Sequence, residues 1–67
     1  MCEATAYLIS GDREKKVMEN VALVEPDGDR VLLVDIRGEQ KLVRARIKGA
    51  DLIRFRILLE ETATDQV

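Results

Sequence analysis

The chain has no histidine and no tryptophan, a single cysteine, a single proline and only two aromatic residues, Tyr7 and Phe55. Each absence removes a class of chemistry. Without histidine, both the commonest general base and the commonest transition-metal ligand are missing. With Cys2 alone, no disulfide can form within the chain. Two aromatics cannot build the stacking platform on which single-stranded nucleic acid usually lies. No apolar run approaches the ~20 residues of a membrane span. The opening Met1-Cys2-Glu3-Ala4-Thr5-Ala6 lacks the basic and apolar regions of a secretory signal, so a cytoplasmic setting is expected, where a lone thiol stays reduced. An enzyme is not expected.

What is present is a folded composition. Hydrophobic residues make up 46% and charged residues 36% of 67 residues, which fits a small globular domain with a well-solvated surface. A chain of this size supplies only ~3–5 kcal/mol of net stability from its own core, so a partner subunit or a metal is a reasonable supplement. The net charge of −2 gives no general pull toward nucleic acid or anionic membrane.

Short apolar runs separated by turn residues predict an all-β fold: a small SH3-like or Sm-like antiparallel barrel of five to six short strands. Ala4 to Ile9 reads as the first strand, followed by the turn Ser10-Gly11-Asp12 and a charged connection, Arg13 to Lys16. Val17-Met18 and Val21 to Glu25 read as two separate extended segments. The good helix formers from Arg13 to Lys16 make a helix over Asp12 to Val21 the competing reading. Pro26-Asp27-Gly28-Asp29 is a turn, since Pro presets φ and Gly accepts positive φ. Its Asp-Gly-Asp lacks the further oxygen ligands of a calcium loop. Arg30 to Ile36, Gln40 to Lys48 and Leu52 to Glu60 complete the strands. Residues 1–60 form the domain and 61–67 a polar tail, whose acidic group with Glu60 carries no specific signal.

Period-2 alternation predicts a core of Leu8, Val21, Leu23, Val31, Leu33, Ile47, Ile53, Phe55 and Ile57. In the last hairpin the apolar faces match only if paired residue numbers sum to an even value, such as Ala45 with Phe55 and Ile47 with Ile53. That requires a loop of three or more residues, or a bulge, at Gly49 to Asp51. The same register sets Arg46 opposite Arg54 and Arg44 opposite Arg56, a basic stripe that would need an anion, RNA or acidic neighbours to compensate it. Glu25, Asp35, Glu39 and Glu60 are the candidate neighbours.

Cys2 is the other chemical feature. A thiolate beside the terminal amine forms an N,S chelate, whether Met1 is removed or its amine joins through the Cys2 amide. Such a donor set suits Ni(II) or Cu(II) in planar coordination. One chain offers one thiolate, so two chains about a two-fold axis could complete the site.

The segments Met1-Cys2-Glu3, Val17-Met18-Glu19-Asn20-Val21, Val31 to Glu39, Ile47 to Leu52 and Ile57 to Glu60 together resemble the CooT family, a group also described as RNA-binding. The resemblance spans nearly the whole chain. It implies a cytoplasmic homodimer with a small β-barrel-like fold. It further implies a nickel-binding accessory role, as metallochaperone or sensor, in maturation of a nickel enzyme such as carbon monoxide dehydrogenase, with Cys2 as the Ni(II) ligand. The alternative function is an RNA- or anion-binding module using Arg44, Arg46, Arg54 and Arg56.

Overall fold

A computed structural model describes residues 4–51 and 53–62. Six strands follow one another: β1 Ala4–Ser10, β2 Arg13–Asp27, β3 Arg30–Asp35, β4 Gln40–Val43, β5 Ala45–Asp51 and β6 Arg56–Glu61. The fold is all-β, a six-stranded curled sheet forming a half-barrel. The helix considered over Asp12 to Val21 does not form. Its charged residues stand exposed on β2 instead, paired across to Leu8, Ile9 and Ser10 of β1. Local helix propensity amounts to tenths of a kcal/mol per residue and yields to a hairpin that gives these residues a hydrogen-bonded neighbour.

Two hairpins have two-residue loops, Gly11-Asp12 and Gly28-Asp29. In both, glycine comes first with φ of +65°, the arrangement of a type II′ turn, which matches the twist of the flanking strands. The segments read separately as Val17-Met18 and Val21 to Glu25 belong to one fifteen-residue strand, and that strand reaches Asp27 through Pro26. Its pairing is irregular at three places, two against β1 and one between Val21 and Leu23 against β3. Such irregularities bend a strand and increase its twist. The N-terminal part of β2 consequently pairs with β1, and its C-terminal part with β3.

The expectation of a wholly antiparallel sheet is corrected at one pair. The strand order is β4-β3-β2-β1-β6-β5, and β6 lies parallel to β1. A parallel neighbour requires a long connection, and here the rest of the meander and β5 supply it. The order also explains the curl. β4 and β5 occupy opposite edges, yet only Arg44 separates them along the chain, so the sheet must close on itself at that corner. Thr62 fastens the corner: its N–H donates to the Arg44 carbonyl at 3.3 Å, and its hydroxyl to the Asp29 carbonyl at 3.0 Å. Ordered structure therefore passes the expected boundary at residue 60, and residues 63–67 of the expected tail lie outside the described residues.

The interior consists of Ala6, Val31, Leu33, Ala45 and Leu59, with Leu8, Val17, Met18, Val21, Val24, Val43 and Ile57 packed around it. Val31 and Leu33 were expected there; Leu23, Ile47, Ile53 and Phe55 are instead exposed. Leu23 follows the irregularity after Val21, which reverses the inward parity so that Val24 turns in. In the last hairpin, Ile47 pairs with Leu59 and Ala45 with Glu61, an even sum as expected but six residues further along. The bulge falls between Ile47 and Gly49, β5 continues to Asp51, and Ile53 and Phe55 are left in the loop before β6. Ile47 lies on β5, an edge strand of the sheet, and is 42% exposed.

Candidate functional site

Cys2 lies outside the described residues. The place where the chain enters the sheet is defined. Ala4 opens β1 opposite Val21 of β2, and the next residue, Thr5, donates its N–H to the Phe55 carbonyl at 2.9 Å. Val21 in turn pairs with Asp35 at the end of β3, and the Ile36 N–H donates to the Asn20 carbonyl at 2.9 Å. Phe55, Ala4, Asn20 and Ile36 thus share one end of the half-barrel. Asn20 and Phe55 both have φ of +54°, the left-handed region that asparagine tolerates and phenylalanine rarely adopts. Among the described residues, no group of three or more cysteine, aspartate or glutamate side chains is placed to hold a metal ion.

The basic stripe is dispersed. Arg46 stands opposite Glu60, and Arg56 opposite Asp51, so the expected Arg46–Arg54 and Arg44–Arg56 oppositions do not occur. Arg56 is ion-paired with Glu14, and its guanidinium lies 4.5 Å from the centre of the Tyr7 ring, a cation–π contact. Arg54 sits in the loop with its Nε 3.8 Å from the Asp51 carboxylate. Arg44 forms the corner between β4 and β5. Of the four carboxylates expected to compensate the stripe, only Glu60 stands across from one of its arginines; Asp35 and Glu39 serve Arg37 instead.

The turn around Asp35 was not singled out as a site by its sequence. Asp35 is a buried charged residue, 6% exposed at the end of β3. Its Oδ1 accepts the N–H groups of Arg37 and Glu39, each at 2.9 Å, and Oδ2 accepts from the Arg37 guanidinium at 3.3 Å. Burial alone would raise its pKa, but the two backbone hydrogen bonds and the Arg37 charge outweigh that and hold it below the usual carboxylate value. Gly38, at φ of +89°, lets the chain return so that the Asp35 N–H reaches the Glu39 carbonyl. Between this turn and the Lys16 to Asn20 stretch of β2 lies an open groove of about 550 Å³. Lys41 bridges it, donating to the Val17 carbonyl at 3.0 Å, and Lys16 and Glu19 pair with each other on the rim. The signal for this turn was an aspartate at a strand end followed by a glycine three residues later, a pattern common enough to pass as an ordinary reverse turn.

The family model for the CO dehydrogenase accessory protein CooT matches residues 1–60. The chain belongs to the CooT family. The match begins at Met1 and includes Cys2, as the resemblance read from the sequence requires. A protein of uncharacterised function from Methanocaldococcus jannaschii is 35% identical over 60 residues, covering 90% of this chain and 98% of that protein. A crystal structure assigned to CooT from Carboxydothermus hydrogenoformans superposes with a TM-score of 0.83 at 39% identity, covering 92% of this chain and all of that one. The CooT family is thus one of accessory proteins to CO dehydrogenase, which places this chain with proteins that serve an enzyme.

Proposed function

We propose that this CooT-family chain binds Ni(II) as cargo through Cys2 and supplies it, as a homodimer, during maturation of a nickel enzyme such as carbon monoxide dehydrogenase. The carrying observation is that the family match starts at residue 1 and takes in Cys2, in a chain with no histidine and no second thiol. An N,S donor set at a chain start suits nickel, and two thiolates need two chains. A reducing cytoplasm goes with the reading, because a disulfide between the two thiols would remove the ligands.

The experiment is anaerobic titration with Ni(II), followed by absorbance and mass. One metal per dimer with sulfur-to-metal charge-transfer absorption is expected. Binding should release protons and weaken as pH falls, because the proton competes for the thiolate. Cys2→Ala should abolish binding, and a Cys2→Ala protein that held Ni(II) as tightly as wild type would sink the proposal. The alternative of an RNA or anion surface draws less support, since Arg54 and Arg56 already have carboxylate neighbours and Arg46 faces Glu60. Tight, salt-insensitive RNA binding would revive it.

A further inference from the structure

The six-stranded sheet has two open edges, β4 and β5, and they are unequal. β4 spans four residues and β5 spans seven. A strand at an edge has a row of unpaired N–H and C=O groups along its outer side. β5 carries Arg46 and Lys48, with Arg44 just before it, in alternation with Ala45 and Ile47. Ala45 is fully buried, while Arg44, Arg46 and Lys48 are exposed. The ion pairs of the described residues draw on Lys16, Arg30, Arg37, Arg54 and Arg56. Arg44, Arg46 and Lys48 enter none of them, although Arg46 stands across from Glu60 on β6. Three cations without ion pairs among the described residues therefore lie along one open edge. The chain as a whole has a net charge of −2, so this positive strip is local to β5.

We infer that β5 is a docking edge for an extended acidic segment of a partner protein, which adds to the sheet as a further strand and sets carboxylates against Arg44, Arg46 and Lys48. Strand addition of this kind takes its affinity from main-chain hydrogen bonds and its selectivity from alternate side chains. Every second residue of an extended chain recurs after about 6.8 Å, so carboxylates at alternate positions of the added strand meet the cations in register. Ile47, exposed between Arg46 and Lys48, gives an apolar residue of that strand something to cover. Charge decides the occupant. A second β5 would bring cations opposite cations, which destabilises a strand pair, so the edge repels its own copy and attracts an acidic strand. A nucleic acid fits less well, because both aromatics, Tyr7 and Phe55, are outside β5 and its bases would have nothing there to stack on. The pairing irregularity between Ile47 and Gly49 bends the strand, so the docked segment is confined to the stretch up to Lys48, where the cations lie. The inference rests on β5 alone and is independent of the nickel reading.

The test is fluorescence anisotropy at low salt with labelled probes: a short peptide alternating glutamate with valine, the same peptide N-methylated along its backbone, a counterpart alternating lysine with valine, and an oligouridylate. The protein is the full chain, as wild type and as Arg46→Glu, Lys48→Glu and, for control, Lys15→Glu, which alters an exposed cation of β2. Circular dichroism and thermal unfolding confirm that each is folded. Arg46 and Lys48 are both exposed, and either variant serves if the other fails to fold. Wild type is expected to bind the glutamate peptide. Either β5 reversal should weaken that binding by roughly fivefold or more, the scale of one exposed charge contact removed and reversed, and Lys15→Glu by less than about twofold. N-methylation removes the donors needed for strand pairing and should abolish binding. An N-methylated peptide bound as tightly as its parent would overturn the inference, since charge alone would then account for the attraction. So would equal binding of the lysine peptide, or β5 variants that bind as wild type does. Tighter binding of the oligouridylate than of the glutamate peptide would overturn it in favour of a nucleic-acid edge, and a wild-type chain that binds neither would overturn it outright.

Discussion

Two turns of this protein are built on the same device and end differently. After β3, Asp35 Oδ1 accepts the N–H groups of Arg37 and Glu39; after β5, Asp51 Oδ1 accepts those of Ile53 at 3.1 Å and Arg54 at 3.2 Å. Each aspartate also faces an arginine of its own turn, Arg37 or Arg54. The first turn is buried at its base and gives its positive φ to Gly38, at no steric cost. The second is exposed and gives its positive φ to Phe55. A turn that only reverses the chain would do better with glycine there. The β3–β4 turn is therefore buried at its base and sterically relaxed, and the β5–β6 loop holds Ile53 and Phe55 open to solvent on a less favourable backbone.

The largest expected contrast lies under the two turns. Leu33→Ala, in the core beneath the Asp35 turn, should cost about 2–5 kcal/mol, comparable to the total of about 3–5 kcal/mol that a chain this small achieves. Ile53→Ala should change monomer stability by no more than about 0.5 kcal/mol. Equal losses in denaturant titrations of the two variants would erase the distinction.

Next in size is Asp35→Asn. The folded carboxyl sits below its ordinary value, so its contribution is present above about pH 4 and is lost as pH falls through that range toward the folded pKa. Wild type should lose thermal stability on acidification more steeply than Asp35→Asn, which keeps an oxygen acceptor for the two N–H groups but has no charge to lose. Parallel profiles of unfolding midpoint against pH would show that the Asp35 charge does not support the turn.

A smaller effect is expected from Phe55→Gly. Read at concentrations where the chain is monomeric, it should be neutral or stabilising by up to about 1 kcal/mol, because glycine relieves the left-handed conformation. A monomer destabilised by several kcal/mol would mean that Phe55 belongs to the core, as its place in the alternation had implied. Smallest of all, Asp51→Asn should shift the unfolding midpoint by an amount equivalent to no more than about 0.5 kcal/mol. A larger loss would make the two turns energetic equals.

The chain by itself determined the strand content, the glycine turns at Gly11 and Gly28, and the buried pair Val31 and Leu33. These follow from alternation and φ preference, which act over a few residues. It also carried the family resemblance, and with it Cys2 as the chemical group of interest. Other features depended on contacts between distant segments, which no local pattern encodes. The irregularities in β2 reverse the inward parity at Leu23, and nothing in Val21-Ala22-Leu23-Val24 distinguishes a bulge from a regular strand. The choice of β6 as a parallel neighbour of β1 set where β6 begins, and so displaced the β5–β6 register from the one that alternation alone favoured. That displacement left Ile53 and Phe55 in a loop, separated Arg46 from Arg54, and gave the arginines Glu14, Asp51 and Glu60 as neighbours. Only the tertiary arrangement brought Phe55, Ala4, Asn20 and Ile36 to one end, because strand order, a property of the whole chain, decides which loops meet.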